Sequence, residues 1–142
     1  MEQHVINVID ECAHGSHAGT MNFPTVIQNL LEVGVAHYHV DFLRAESTYY
    51  VGGGQSHIVA LPLPDETIAQ NFRAQDVAAA VQASQQQGQP FPQFLVCAMR
   101  AGCIGYTAYL DGQRVVYGGR LGDLHHEYFP GSPFAPTAPD TQ

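Results

Sequence analysis

Lysine and tryptophan are absent from the 142-residue chain, and only 13% of its residues are charged, against roughly 25% in an average soluble domain. Without lysine there is no Schiff-base nucleophile and no phosphate-loop lysine. The five arginines (Arg44, Arg73, Arg100, Arg114 and Arg120) are scattered along a chain of net charge −8. A protein that follows nucleic-acid phosphates needs clustered cations, so no nucleic-acid partner is expected. Long apolar runs are missing too: none approaches the roughly 20 residues that span a bilayer, and no membrane association is expected. The start, Met1-Glu2-Gln3-His4, is acidic and leads into an amphipathic stretch rather than a signal-peptide core. The expected location is cytoplasmic. Cysteine is sparse, and Cys12, Cys97 and Cys103 form no CxxC pair. They read as free thiols of a reducing compartment. Neither Cys97 nor Cys103 has a base beside it in sequence, which argues against a nucleophilic role.

What is present is a 45% hydrophobic content, enough for a core, and eight histidines. The chain also repeats itself at a shift of 68 residues, without a gap. Phe23-Pro24 returns as Phe91-Pro92, Gly34 as Gly102, Tyr38 as Tyr106 and Tyr49 as Tyr117. Gly54, His57 and Pro62 return as Gly122, His125 and Pro130. Apolar character is matched between them, as in Ile27/Leu95 and Phe42/Leu110. Repeats of this kind govern the reading of a fold, and they predict an internal duplication, with repeat one at about 4–62 and repeat two at about 72–130.

Each half reads as ααβββ. In the first, residues 4–14 have helical periodicity and Gly15 and Gly19 end it. Pro24 suits a first helical turn, and Gly34 closes that second helix in a left-handed cap. Strands are expected at 36–44, 47–51 and 56–61, with Gly52-Gly53-Gly54 turning between the last two. The second half predicts helices at 74–87 and 92–101, then strands at 104–110, 113–118 and 124–129, with Asp111-Gly112 as a hairpin turn. Residues 62–73 connect the halves, with room for a short helical turn. The expected fold is α+β: two ααβββ repeats, with antiparallel strands and helices packed about a pseudo-twofold axis in a single domain, 1–130. Residues 131–142 carry Pro133, Pro136 and Pro139 and read as a disordered tail.

Strand periodicity puts Ala36, Tyr38, Val40 and Phe42 on one face and His37, His39 and Asp41 on the other. Two imidazoles and a carboxylate are a competent donor set for Zn or Fe(II); the alternative is a wet polar face, with no cofactor. This trio belongs to the first half alone, because Gly105, Thr107 and Tyr109 stand at the shifted positions. His39 and Asp41, with Tyr50 and His57, are candidate ligand-binding residues. His57 and His125 recur in both halves, either as structural histidines or as a pair facing across the axis. Glu127 shares a strand face with His125 and can orient its imidazole, so His125 and Glu127 are candidate catalytic groups. His14 and His17 read as a solvated loop. Tyr38, Tyr49, Tyr106 and Tyr117 read as core aromatics whose hydroxyls can line a pocket. The Gly52–Gly54 run is no phosphate cradle, since no helix follows it.

Several motifs carry a family resemblance: Thr48-Tyr49-Tyr50, Phe91-Pro92, Ala101-Gly102-Cys103-Ile104-Gly105-Tyr106, and the stretch from Tyr117 to Pro130 (YGGRLGDLHHEYFP). Over about 4–130 the chain resembles the YdfO-like group of small bacterial and prophage-encoded proteins, some labelled phage envelope protein. The resemblance implies a bacterial or phage-derived cytoplasmic protein with an α+β fold, and it carries no catalytic assignment. The expected function is a small intracellular domain, monomeric or homodimeric, that binds a small ligand or a protein partner. The alternative is a cofactor-free or metal-assisted hydrolase, isomerase or cyclase built on the His, Asp and Glu side chains. A phage structural role finds no support in the low charge and the absence of a coiled coil.

Overall fold

Local signals set most element boundaries in the computed structural model, which describes residues 1–136. Helix α1 spans Gln3–Ala18 and α2 spans Phe23–Glu32. The Asn22 side chain opens α2 by accepting a hydrogen bond from the Thr25 backbone N–H at 3.0 Å, with Pro24 in the first turn. Helices α3 (Ala74–Gln86) and α4 (Phe91–Arg100) follow in the second half of the chain. The strands are β1 (Val35–Asp41), β2 (Glu46–Val51), β3 (Ser56–Ala60), β4 (Cys103–Tyr109), β5 (Arg114–Gly119) and β6 (Leu124–Tyr128). The described residues thus form an α+β fold with four α-helices and six strands.

Most boundaries fall within one residue of expectation, and three features differ more. Helix α1 passes through Gly15 and ends at Ala18, where Gly19 takes φ +78°. Interior glycine costs a helix about 1 kcal/mol, but here tertiary packing decides the matter: a Cβ on Gly15 would sit 2.8 Å from Met21 Cγ. Strand β1 stops at Asp41 because that carboxylate accepts the backbone N–H groups of Leu43 (2.8 Å) and Arg44 (3.1 Å), bending the chain into a turn. Residues 62–73 hold no helical turn. They are strapped to the end of α4 by the Ala69 N–H on the Met99 carbonyl (2.9 Å) and the Arg73 N–H on the Ala101 carbonyl (2.8 Å).

The sheet is antiparallel throughout, in the order β3-β2-β1-β4-β5-β6. Each half contributes a meander, and β1 meets β4 at the centre. In that central register His39 lies opposite Thr107, and these two positions are themselves 68 apart. Other geometry recurs at the same offset. Gly34 and Gly102 both have φ +86°, Ala45 and Gln113 are both left-handed, and bulges fall at Val35/His37 and Cys103/Gly105.

Helices cover one face of the sheet. The core between them includes Ile9, Leu30, Val77 and Leu95 from α1–α4 and Tyr38, Val40, Tyr106 and Ala108 from the central strands. The other face is open and bears Ile58 and Leu124, both more than half exposed. Residues 131–136, the start of the expected tail, form turns in which the Ser132 N–H meets the Phe129 carbonyl at 3.0 Å. Residues 137–142 lie outside the described residues. No helix among the described residues is long and apolar enough to cross a membrane.

Candidate functional site

The bulged alternation of β1 and β4 turns Tyr38 and Tyr106 toward the helices near the centre of the sheet. Each stacks on or tilts against its neighbour on the next strand: Tyr38 on Tyr49 at 5.0 Å between centroids, Tyr106 against Tyr117 at 5.2 Å. Burial pushes the phenols of Tyr38 and Tyr106 well above their ordinary range, and burial likewise raises those of Tyr49 and Tyr117. All four therefore remain neutral hydroxyls.

Above the rings, between α1 and the sheet, lies a cavity of about 310 Å3. His17, Tyr38, Ser47, Tyr49, Phe91 and Tyr106 line it, with Val26 and Val59 among the apolar walls. A second cavity of about 200 Å3 adjoins it, reaching Asn22 and Gln89 and sharing Ser16, Val26, Tyr38, Phe91 and Tyr106 with the first. Two buried polar atoms of these walls have no hydrogen-bond partner among the described residues: His17 Nδ1 and Gln89 Oε1. The His17 ring stands edge-on to Phe91 at 6.2 Å. Cys12 also lines the larger cavity, but burial raises its thiol pKa, so it stays protonated.

At the corresponding place in the second half, the space shrinks to about 50 Å3. The positions shifted by 68 explain it. Ala13, Val26 and Ser47 line the large cavity; Val81, Phe94 and Val115 line the small one. His17 is replaced there by Gln85. A wider groove of about 510 Å3 runs along Phe23, Ile27, Leu31 and Phe129, but it holds no histidine or tyrosine.

The residues singled out in the sequence fall in different places. His37 lies on the open face, stacked with Tyr50 at 4.6 Å and with Tyr109 at 5.8 Å. His39 bonds through Nδ1 to the Thr107 hydroxyl at 2.7 Å, and Asp41 serves the turn after β1. Among the described residues no group of three or more His, Cys, Asp and Glu could hold a metal ion. His39 and Asp41 do share an open-face groove of about 380 Å3 with Thr107 and Gly118. His57 points the other way, to the helix side, and its Nε2 meets Asp10 Oδ1 of α1 at 2.9 Å. His125 Nε2 meets Glu127 Oε1 at 2.8 Å, both side chains being mostly buried.

The strand order puts His57 and His125 at opposite edges of the sheet, five strand spacings or roughly 24 Å apart. They do not face each other, as the expected pairing across an axis would require. His14 and His17 sit on α1, not in a loop, and both line the larger cavity. Their spacing of three was the available signal, because it puts both on one side of a helix.

Comparison with curated proteins returns no match. The family described as "Protein of unknown function (DUF1398)" matches residues 12–127, a span that takes in His17, both cavities' tyrosines and all but the last residue of β6. On that match the chain belongs to the DUF1398 family.

Proposed function

We propose that the protein is a small-molecule-binding domain whose ligand lies between α1 and the sheet. The contrast between its two halves carries this reading. Protein interiors are close-packed, and voids in them cost stability. The second half closes its space with Val81, Phe94 and Val115, whereas the first keeps about 310 Å3 open and furnishes it with His17 and Ser47. A concave, mostly apolar space with a few polar groups is the usual form of a ligand site.

We also read the chain as an internal duplication, supported by the shared φ values, bulges and registers at the offset of 68. The pseudo-twofold axis then passes through the His39–Thr107 pair, and residues that differ between halves are those released for the site. We take the setting to be the bacterial cytoplasm, a reading supported by the YdfO-like motifs and by three cysteines free of disulfides.

The test fills the cavity with the protein's own alternative. Val26→Phe with Ser47→Val copies the second half into the first. The double variant should keep its circular dichroism and melting temperature and lose binding of phenylnaphthylamine, a neutral fluorescent probe. Unchanged probe binding in the folded variant refutes the site. A second reading, acid–base catalysis, is favoured by the 2.8 Å bond between His125 and Glu127. It would be exercised at the β6 edge, because neither residue lines the two cavities.

A further inference from the structure

We infer that the ligand is an uncharged, elongated, planar molecule with a hydroxyl or similar oxygen at each end, spanning both cavities from His17 to Gln89. The inference rests on the cavity reading above and adds the chemical class.

The two cavities share five wall residues, including the rings of Tyr38, Phe91 and Tyr106. They therefore adjoin across these rings, and we treat them as two lobes of one space with an aromatic waist. Aromatic rings favour a planar guest, by stacked or edge-on contact. Among the described residues no Asp, Glu or Arg lines either lobe. A formal charge carried into such a space would lose its hydration with no fixed counter-charge to replace it, a cost of several kcal/mol. Phosphates, nucleotides and zwitterionic amino acids are therefore disfavoured.

The ends are polar. His17 stands in the wall of the larger lobe and Gln89 in the wall of the smaller, and each has a buried atom without a partner among the described residues. A buried polar atom left unpaired is costly, and a ligand group that pairs it recovers that cost. Gln89 Oε1 accepts only, so the group reaching it must donate; a hydroxyl does so without charge. His17 Nδ1 donates or accepts according to tautomer, so a hydroxyl or a carbonyl satisfies it. Between them, the neutral phenols of Tyr38 and Tyr106 supply donors to oxygen. Hydroxylated fused aromatics of two or three rings have this combination of shape and chemistry.

The experiment titrates the full chain at neutral pH with three probes: a naphthalene diol with hydroxyls at opposite ends, a naphthol with one, and a naphthalene dicarboxylate. The diol should bind most tightly and the dicarboxylate at least about ten-fold more weakly. Gln89→Met keeps the side-chain length and removes the amide. It should weaken the diol about five-fold and the naphthol less than about two-fold, with the melting temperature confirming the fold. Dicarboxylate binding equal to the diol, an equal effect of Gln89→Met on diol and naphthol, or no saturable diol binding each overturns the inference. The cavity reading falls separately, only if phenylnaphthylamine binding survives Val26→Phe with Ser47→Val.

Discussion

Alanine at Gly102 should cost far more than alanine at Gly34, although the two glycines share φ +86° and follow helices of equal length. In both, the glycine N–H caps its helix, on the Leu31 carbonyl or the Met99 carbonyl, at 3.1 Å. The left-handed conformation charges an L-residue about 1–2 kcal/mol, and the stiffer unfolded chain returns about 0.4–1 kcal/mol. The net loss at Gly34 is about 1 kcal/mol, because nothing lies within 4 Å of the added Cβ. At Gly102 the Cβ would collide with the Asn71 carbonyl and lie 2.8 Å from Phe72 Cα. Those atoms belong to the connection held on α4 through Ala69 and Arg73, so they cannot retreat without breaking bonds. Overpacking of this kind adds about 1–3 kcal/mol, for a total of about 2–4 kcal/mol. In melting temperature the contrast is about 3 °C against about 9 °C. Urea titration of both variants, with melting curves, measures it. Equal losses would refute the reasoning, showing that the connection yields freely to the added methyl.

Three further outcomes are expected. Because burial raises the phenol pKa of Tyr38, Tyr49, Tyr106 and Tyr117, the folded state keeps protons that the unfolded state releases. Stability is then full below the unfolded value of about 10 and falls as pH rises above it; the four phenolates should appear in ultraviolet absorbance together with loss of circular dichroism, and their appearance in a native spectrum would contradict this. Thr107→Val removes the partner of His39 and should cost about 1 kcal/mol in urea unfolding, while phenylnaphthylamine binding stays unchanged because the pair lies on the open face. Equimolar zinc should leave the melting temperature where it is, since a common ion would require His37 to leave its tyrosine stack and Asp41 to leave its turn; a stoichiometric rise that His37→Ala with His39→Ala abolishes would establish His37, His39 and Asp41 as a metal site.

Much of the architecture was legible because its signals are local. Pro24 and Gly34 frame α2, and the alternation around Tyr38 marks β1. Reading the later stretch at the shift of 68 predicted two helices and three strands there, and that element order is present. Boundaries were lost where a distant side chain decides, as Met21 does over Gly15. Strand order is not a local property either, so equivalence of His57 and His125 in sequence could not reveal that they occupy opposite edges. The cavity was hidden for a related reason. Val26/Phe94 matches in apolar character, and its difference in volume becomes a space only when α1, α4 and the sheet enclose it. The trio on β1 was correctly read as sharing a face, but the turn, the stack and Thr107 already engage its three members.

The strand order has a kinetic consequence. Every pairing but one joins strands adjacent along the chain within a half. The exception is β1 with β4, whose partners Asp41 and Gly105 are 105 − 41 = 64 residues apart, and His37 and Tyr109 are 109 − 37 = 72 apart. Closing so long a loop costs entropy that a short hairpin does not pay, and such non-local contacts slow folding. The meanders can therefore order first, with the central seam zipped afterwards. The His39–Thr107 bond, in the middle of that seam, bears on how the two halves join and part, and not on how quickly either meander forms.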